Sequence, residues 1–395
     1  MPKSDRREQS KQKNRICTVY QPFFFCLSWF TFTIPNIQLT AMKKIHRLFL
    51  WAIIFLFTGN VRAQQDSIMY AHYINVGQAA SVLLEFPCGV ILIDAGAQDD
   101  VYHKKLIDYL TNFFAGRKDL NNTIALVMVT HPHIDHNEAL RDIAEKFHVQ
   151  KYIDDGLRVG SGKSNQIWMQ DHAASKGTVY RSYSFEDITK GGNKSGKTDT
   201  IIDPINCPNG DPKIILYSGN LEEQPGDWSN ADYTNYNNQS LVIKVVFGNA
   251  SFLFTGDLEK KGIKNIVDQY NETHALDVDV LMVGHHGAAN ATTEEYLNEV
   301  TPTYAVISCG EWNSGKGSND PFTTFAYGHP RITTINMLQA DIPNKRSQEK
   351  KVKAAEGQED FRYINIQKRI YATPWDGTIT IKATMAGNYI VYTEQ

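Results

Sequence analysis

Along the chain from residue 68, the period of the apolar positions changes repeatedly, and each change marks an element. Ile68 to Val76, Ser81 to Phe86 and Val90 to Ile93 are short β-rich runs separated by Gly77 and by Pro87-Cys88-Gly89, which predicts an antiparallel start. Leu106, Ile107, Leu110, Phe113 and Phe114 then recur at helical spacing and stop near Gly116. Ile124 to Val129 is a continuous apolar run, as expected of a strand covered on both faces, and Leu140, Ile143, Ala144 and Phe147 mark another helix. Gly156 to Gly196 is polar apart from a helical patch at Trp168 to Ala174, and Ile205 to Asn238 is rich in Asn, Gly, Asp and Pro. Both stretches read as loops or an insertion.

Regularity returns with Leu241 to Phe247, a Gly248-Asn249 turn and Ser251 to Phe254, a hairpin signal. Val278 to Val283 and Tyr304 to Ser308 read as buried strands, and Gly377 to Ala383 and Asn388 to Tyr392 as strands in the tail. No repeat and no linker interrupts the chain after residue 63. Hairpins mixed with helical crossovers predict one α/β domain of sheets covered by helices, spanning 64–395.

The first 63 residues follow a different logic. Met42-Lys43-Lys44-Ile45-His46-Arg47 is basic, Leu48 to Phe57 carries no charge, and Val61-Arg62-Ala63 resembles a cleavage site. That layout is a secretory signal peptide over 42–63, with Met42 as the start and 1–41 as an upstream extension. Its apolar run is about half the roughly 20 residues a membrane span needs, so no integral span is expected after processing, and the mature chain is expected to be periplasmic or secreted. The net charge of −3 hides an asymmetry: residues 1–63 hold 10 Lys/Arg and 2 Asp/Glu, leaving 30 against 41 beyond them. An acidic body argues against nonspecific binding to long nucleic acids. Processing leaves Cys88, Cys207 and Cys309, an odd number with no Cys-x-x-Cys pair. One disulfide is permitted in an oxidising compartment, but buried small hydrophobes are the expectation for all three. No motif identifies a partner protein.

The chemistry gathers at predicted strand ends. His131-Pro132-His133-Ile134-Asp135-His136 directly follows the strand ending at Val129, placing four ligand-type side chains within six residues. Imidazole and carboxylate at this density suit zinc. Thr255-Gly256-Asp257 and Gly284-His285-His286-Gly287 close two later strands, and Asp94 closes an earlier one.

In this order the motifs resemble the metallo-β-lactamase superfamily. Asn75-Val76-Gly77-Gln78, Asn237-Asn238-Gln239-Ser240, Tyr327-Gly328-His329-Pro330 and Asp376-Gly377-Thr378-Ile379 resemble one of its branches, the hydrolase domain of the competence protein ComEC. The resemblance covers roughly residues 68–383 and implies a four-layer αββα sandwich with two Zn2+ ions, or Mn2+, at the rim between the sheets. It places His131 and His133 on the first metal, Asp135 and His136 on the second, and Asp257 between them. Successive side chains at a strand end point to opposite sides, so one of the adjacent histidines is expected to face the metals, and the resemblance favours His286, which stands before Gly287 where the superfamily's last strand turns into the cleft. That leaves His285 to donate a proton or touch substrate. Asp94 matches the family's aspartate that orients a ligand histidine, and His329 is a candidate for substrate contact.

Two departures limit the parallel. The branch's D-V-G-Q-G-D is here Asn75-Val76-Gly77-Gln78-Ala79-Ala80, and no histidine stands in the context of the family's third ligand. His148 and His172 are the histidines between the two motifs, and Asn238 or Asn237 is left as a weak candidate for that place. The expected activity is metal-activated hydrolysis of a phosphodiester or related phospho-ester, with hydrolysis of a lactone or cyclic amide, or metal-bound binding without turnover, as alternatives.

Overall fold

The structure is a computed structural model that describes residues 67–395, so the expected signal peptide and the upstream stretch lie outside the described residues. Two sheets organise the chain. The eight-stranded sheet runs Tyr389–Thr393, Ile379–Thr384, Ile68–Tyr73, Val82–Phe86, Gly89–Ile93, Leu126–Met128, Lys151–Asp154, Val179–Ser182 from edge to edge. The six-stranded sheet runs Ile370–Ala372, Tyr304–Ile307, Val280–Met282, Ala250–Phe254, Val242–Phe247, Lys213–Ser218. As the short connections predict, Ile68–Tyr73, Val82–Phe86 and Gly89–Ile93 pair antiparallel.

Three apolar layers hold four layers of structure together. The middle one, between the sheets, joins Met69, Tyr73, Phe86 and Ile381 of one sheet to Phe247, Phe252 and Val306 of the other, with Tyr73 and Phe254 ring centroids 6.2 Å apart. Helices Asp100–Gly116, Leu140–Lys146 and Lys163–His172 cover the outer face of the first sheet through Leu106, Leu110, Ile143 and Met169. Helices Lys260–Tyr270, Glu294–Val300 and Ile332–Asp341 cover the second through Ile266, Leu297 and Leu338. This is the αββα sandwich.

Several segments differ from the expectation. The Asn- and Pro-rich stretch before Asn238 contains the strand Lys213–Ser218, buried over Ile214–Ser218 but too short among turn residues to stand out. The polar stretch before Gly196 holds helix Lys163–His172, the edge strand Val179–Ser182 and helix Phe185–Thr189. The run Ile124 to Val129 is divided, because Thr123–Ile124 pairs with His148–Val149 and only Leu126–Met128 joins the sheet. The hairpin Lys345–Gly357 with Asp360–Lys368 had no apolar signature. Cys88 and Cys207, expected as buried hydrophobes, form a disulfide across 119 residues, while Cys309 is a free, buried thiol. Sequence spacing does not reveal proximity across so long a separation.

The topology places the chemistry. Gly89–Ile93, Leu126–Met128 and Lys151–Asp154 are parallel, as are Ala250–Phe254, Val280–Met282 and Tyr304–Ile307, so each set ends on one edge. The two edges are tied together where Leu241 N donates to Thr130 O at 2.8 Å.

Candidate metal centre

Asp94 leaves the strand Gly89–Ile93 in a left-handed conformation, φ 56°. Its Oδ1 accepts from Thr130 N at 2.7 Å, and its Oδ2 accepts from Thr130 Oγ1 at 3.1 Å and from His136 Nδ1 at 2.8 Å. A carboxylate can only accept here, so the His136 proton sits on Nδ1 and the Nε2 lone pair faces the cleft. Gly96 lets the motif pass: a Cβ there would lie 1.7 Å from the Asp135 carbonyl oxygen. Ala80 N and Ala95 N donate to the carbonyls of Asp135 and His136, fixing the one-turn helix Ile134–Asn137. Asn75 and Ala80, the positions where the resemblance would place carboxylates, are both buried, and Ala80 packs into the apolar layer between the sheets.

Asp257 follows the strand Ala250–Phe254 and is the hub of the cleft. His136 Nε2 lies 3.1 Å from its Oδ1, and His286, His285 and His131 Nε2 lie 3.6, 3.8 and 3.9 Å from its Oδ2. His131 Nε2 is also 3.1 Å from His133 Nδ1. His286 Nδ1 donates to Ser308 O at 2.7 Å, which turns its Nε2 toward Asp135 Oδ2, 3.2 Å away. One ligand atom from each of Asp135, His136, Asp257 and His286 lies within 4.8 Å of the others.

The two neighbouring histidines do not alternate as residues on a strand end. They occupy a single left-handed turn, His285–Gly287, with φ of 49° and 53°, and both rings face Asp257. The side-alternation argument for choosing between them is therefore corrected: successive left-handed residues bend the chain back. Asn238 is not in the cleft's donor set, because its Nδ2 donates to Asp232 O and its Oδ1 accepts from Gly262 N. Asn237 Nδ2 donates to Glu259 Oε1. His148 is exposed, and His172, also exposed, bonds its own helix at Trp168 O. His329 is buried with its ring centroid 5.5 Å from that of His285.

Electrostatics agree with a cation site. Burial opposes charge on Asp257, yet the facing His136, His286 and His285 hold its carboxyl well below the usual range. Asp135 is likewise lowered against burial, by its hydrogen bond to His286 and by His136. Burial opposes protonation of His136, but Asp257 and Asp94 outweigh it and push that imidazole well above its ordinary value, so without a metal a second proton on Nε2 takes the place that a cation would fill on that lone pair. The ion-pair partners of Asp94, Asp135 and Asp257 are imidazoles rather than Lys or Arg. Buried His136 Nε2, without a hydrogen-bond partner, is the observation that tests the fit: a lone pair aimed at a carboxylate suits a divalent cation placed between them. Nitrogen and carboxylate donors in this number suit zinc or manganese.

Three residues near the site were missed as functional candidates. Gln78 Nε2 donates to His329 Nδ1 at 3.1 Å while its Oε1 accepts from Thr324 Oγ1 at 3.0 Å. Tyr327 stacks on His329 at 5.4 Å, and its phenol is pushed up to about 12 by burial and by Asp135 and Asp257. Glu259 faces His285. Gln78 and Tyr327 lie inside the stretches that resembled the related branch, whereas nothing in the spacing singles out Glu259.

The description of the Metallo-beta-lactamase superfamily matches residues 74–311. Competence protein ComA of Neisseria gonorrhoeae is 32% identical over 141 residues, covering 33% of this chain and 18% of that protein. ComE operon protein 3 of Bacillus subtilis is 35% identical over 108 residues, covering 27% of this chain and 12% of that protein. The chain thus spans under a fifth of the length of these curated relatives. The metallo-beta-lactamase fold protein YhfI from Bacillus subtilis superposes with a TM-score of 0.35 and 9% identity, covering 62% of this chain and 86% of that one.

Proposed function

The chain belongs to the metallo-β-lactamase superfamily, and on that premise we propose that it is an exported metal-dependent hydrolase acting on a phosphodiester or related phospho-ester. The observation that carries the reading is the convergence of Asp135, His136, Asp257 and His286 at the meeting edge of the two sheets. These four would hold one cation, and His131, His133 and the shared Asp257 another. Two bound cations supply an activated water and neutralise charge building on the attacked centre.

The residues of the chain prepare that chemistry before any substrate arrives. Asp94 and Ser308 O fix the tautomers of His136 and His286, so neither ring has to reorient. Asp257, shared between the two ligand groups, sets their separation. Two bound cations would suit in-line displacement at phosphorus, and the lack of a histidine in the family's third-ligand context weighs against a lactone or amide. Export is supported by the signal-peptide layout of 42–63 and by the Cys88–Cys207 disulfide.

The test is a substrate panel on the purified protein with added zinc or manganese: a bis-phosphodiester, a phosphomonoester, a phosphorylcholine ester, a lactone and a β-lactam. Turnover of the phosphodiester above the others supports the reading. Preferential turnover of lactone or β-lactam, or none with metal bound, overturns it.

A further inference from the structure

Once Asp135, His136 and His286 are grouped on Asp257, the cleft holds three further imidazoles with ring nitrogens turned inward: His131, His133 and His285. We propose that His285, facing Glu259, is the third histidine ligand of the cation held by His131, His133 and the shared Asp257, in place of the histidine that the family's third-ligand context would supply. The inference rests on the metal-dependent reading above and specifies how its less complete half is built.

Three observations converge on it. His285 Nε2 and His131 Nε2 stand 3.8 and 3.9 Å from the same oxygen, Asp257 Oδ2. On the opposite side of the ring, His285 Nδ1 is buried without a hydrogen-bond partner and lies 3.4 Å from Glu259 Oε1. Glu259 is itself held in place, with Oε1 accepting from Asn237 Nδ2 at 2.9 Å and Oε2 accepting from Asn235 Nδ2 at 3.0 Å. Asp94 likewise stands behind His136, there closed to a 2.8 Å hydrogen bond on Nδ1. A carboxylate behind an imidazole fixes its tautomer and raises its basicity as a ligand.

The backbone adds the third observation. His285 and His286 are consecutive non-glycine residues with positive φ, a conformation that side chains with a Cβ adopt at a cost. The bend turns both rings onto Asp257, which a turn serving only the last ligand would not require. Two competing candidates are committed elsewhere: Asn238 at both ends of its amide and His172 to its own helix. A proton donor in the position of His285 would leave metal stoichiometry untouched when removed, whereas a ligand would not.

Equilibrium dialysis against zinc, followed by elemental analysis, tests the assignment. The wild-type protein is expected to hold two equivalents and His285→Ala one. Glu259→Gln should hold two with one weakened about 10- to 100-fold. His285→Cys, loaded with cobalt(II), should hold two and add a thiolate-to-cobalt charge-transfer absorption, which keeps the test readable if the alanine variant fails to fold. Two equivalents in His285→Ala at wild-type affinity, or two in His285→Cys without the charge-transfer band, overturn the proposal. A wild-type protein holding one equivalent that His285→Ala also holds overturns this proposal alone, and a wild-type protein holding none overturns the metal-dependent reading with it.

Discussion

Asp94 and His136 are joined by a 2.8 Å hydrogen bond across 42 residues of sequence. That bond links the exit of one strand to the last histidine of the ligand motif that follows the neighbouring strand, and it decides which nitrogen of His136 faces Asp257. Ligand chemistry here is set by a residue that itself stays behind the ligand.

Asp94→Asn should therefore damage metal binding without removing a ligand. Thr130 N, bonded to Oδ1, holds the amide oxygen, so the amide nitrogen falls opposite His136 Nδ1 and Thr130 Oγ1. Imidazole must then accept at Nδ1 and carry its proton on Nε2, losing the lone pair that faces Asp257. Zinc affinity, measured by chelator competition, is expected to fall about 10- to 100-fold. Wild-type affinity in this variant would show that the tautomer is not set by Asp94.

The legible and illegible parts of the site divide along the same physical line. His131, His133, Asp135 and His136 stand within six residues, and Asp94, Asp257 and His286 each follow an apolar run, so strand periodicity alone brings them toward one edge. Gln78 and His329 meet across 251 residues, and the link from Asn237 through Glu259 to His285 is made by side chains that look like ordinary turn and helix-start residues. Similarly, the sandwich was readable from buried strands, while the hairpin Lys345–Gly357 with Asp360–Lys368 was not. Most of its residues face solvent, and only a few, such as Val352, Ala354 and Ile366, pack inward. Where both faces of a ribbon are largely wet, no apolar period is written into it.

Cys88→Ser is expected to lower stability by about 2–5 kcal/mol, since the Cys88–Cys207 bridge closes a long loop and restricts the unfolded chain. Denaturant melts of oxidised wild type, reduced wild type and the variant check it, the last two agreeing. Equal midpoints for all three would mean that the bridge adds nothing.

The pair Asp154 and Asp155 at the end of the strand Lys151–Asp154 gives the fold a pH dependence separate from the metals. Burial, then the neighbouring Asp154, pushes the Asp155 carboxyl well above its usual range, and its Oδ2 has no partner. A carboxyl whose pKa is higher folded than unfolded binds its proton more tightly in the native state. Stability from this group is therefore full in acid and declines as pH rises from the usual carboxylate range through the raised folded value. Asp155→Asn should remove that decline, gaining about 1 kcal/mol or roughly 2–4 °C at pH 8 and less at pH 5. Thermal melts at the two pH values decide, and a gain that is larger in acid would reverse the sign argued here.

His329 should respond to Gln78 rather than to metal loading. Burial and the neighbouring His285 and His286 hold its imidazole well below the ordinary value, so the ring is neutral at physiological pH. Gln78 Nε2 donates to His329 Nδ1, which leaves the proton on Nε2. The glutamine is itself prevented from turning over, because its Oε1 also accepts from Gly310 N at 3.5 Å, a backbone donor that cannot accept. In Gln78→Glu the group facing Nδ1 accepts instead of donating, so the proton moves to Nδ1 and the protonated ring is favoured. Nitrogen-15 NMR of the histidine ring should show the Nε2–H form in the wild type and the Nδ1–H or doubly protonated form in the variant. Zinc stoichiometry should stay unchanged in both, because Gln78 touches no residue of the ligand set other than through His329. If His329 positions substrate, turnover should fall about tenfold with the tautomer change, in the range of a displaced hydrogen-bond donor. An Nδ1–H signal already present in the wild type would show that Gln78 does not set the tautomer, whatever the effect on turnover.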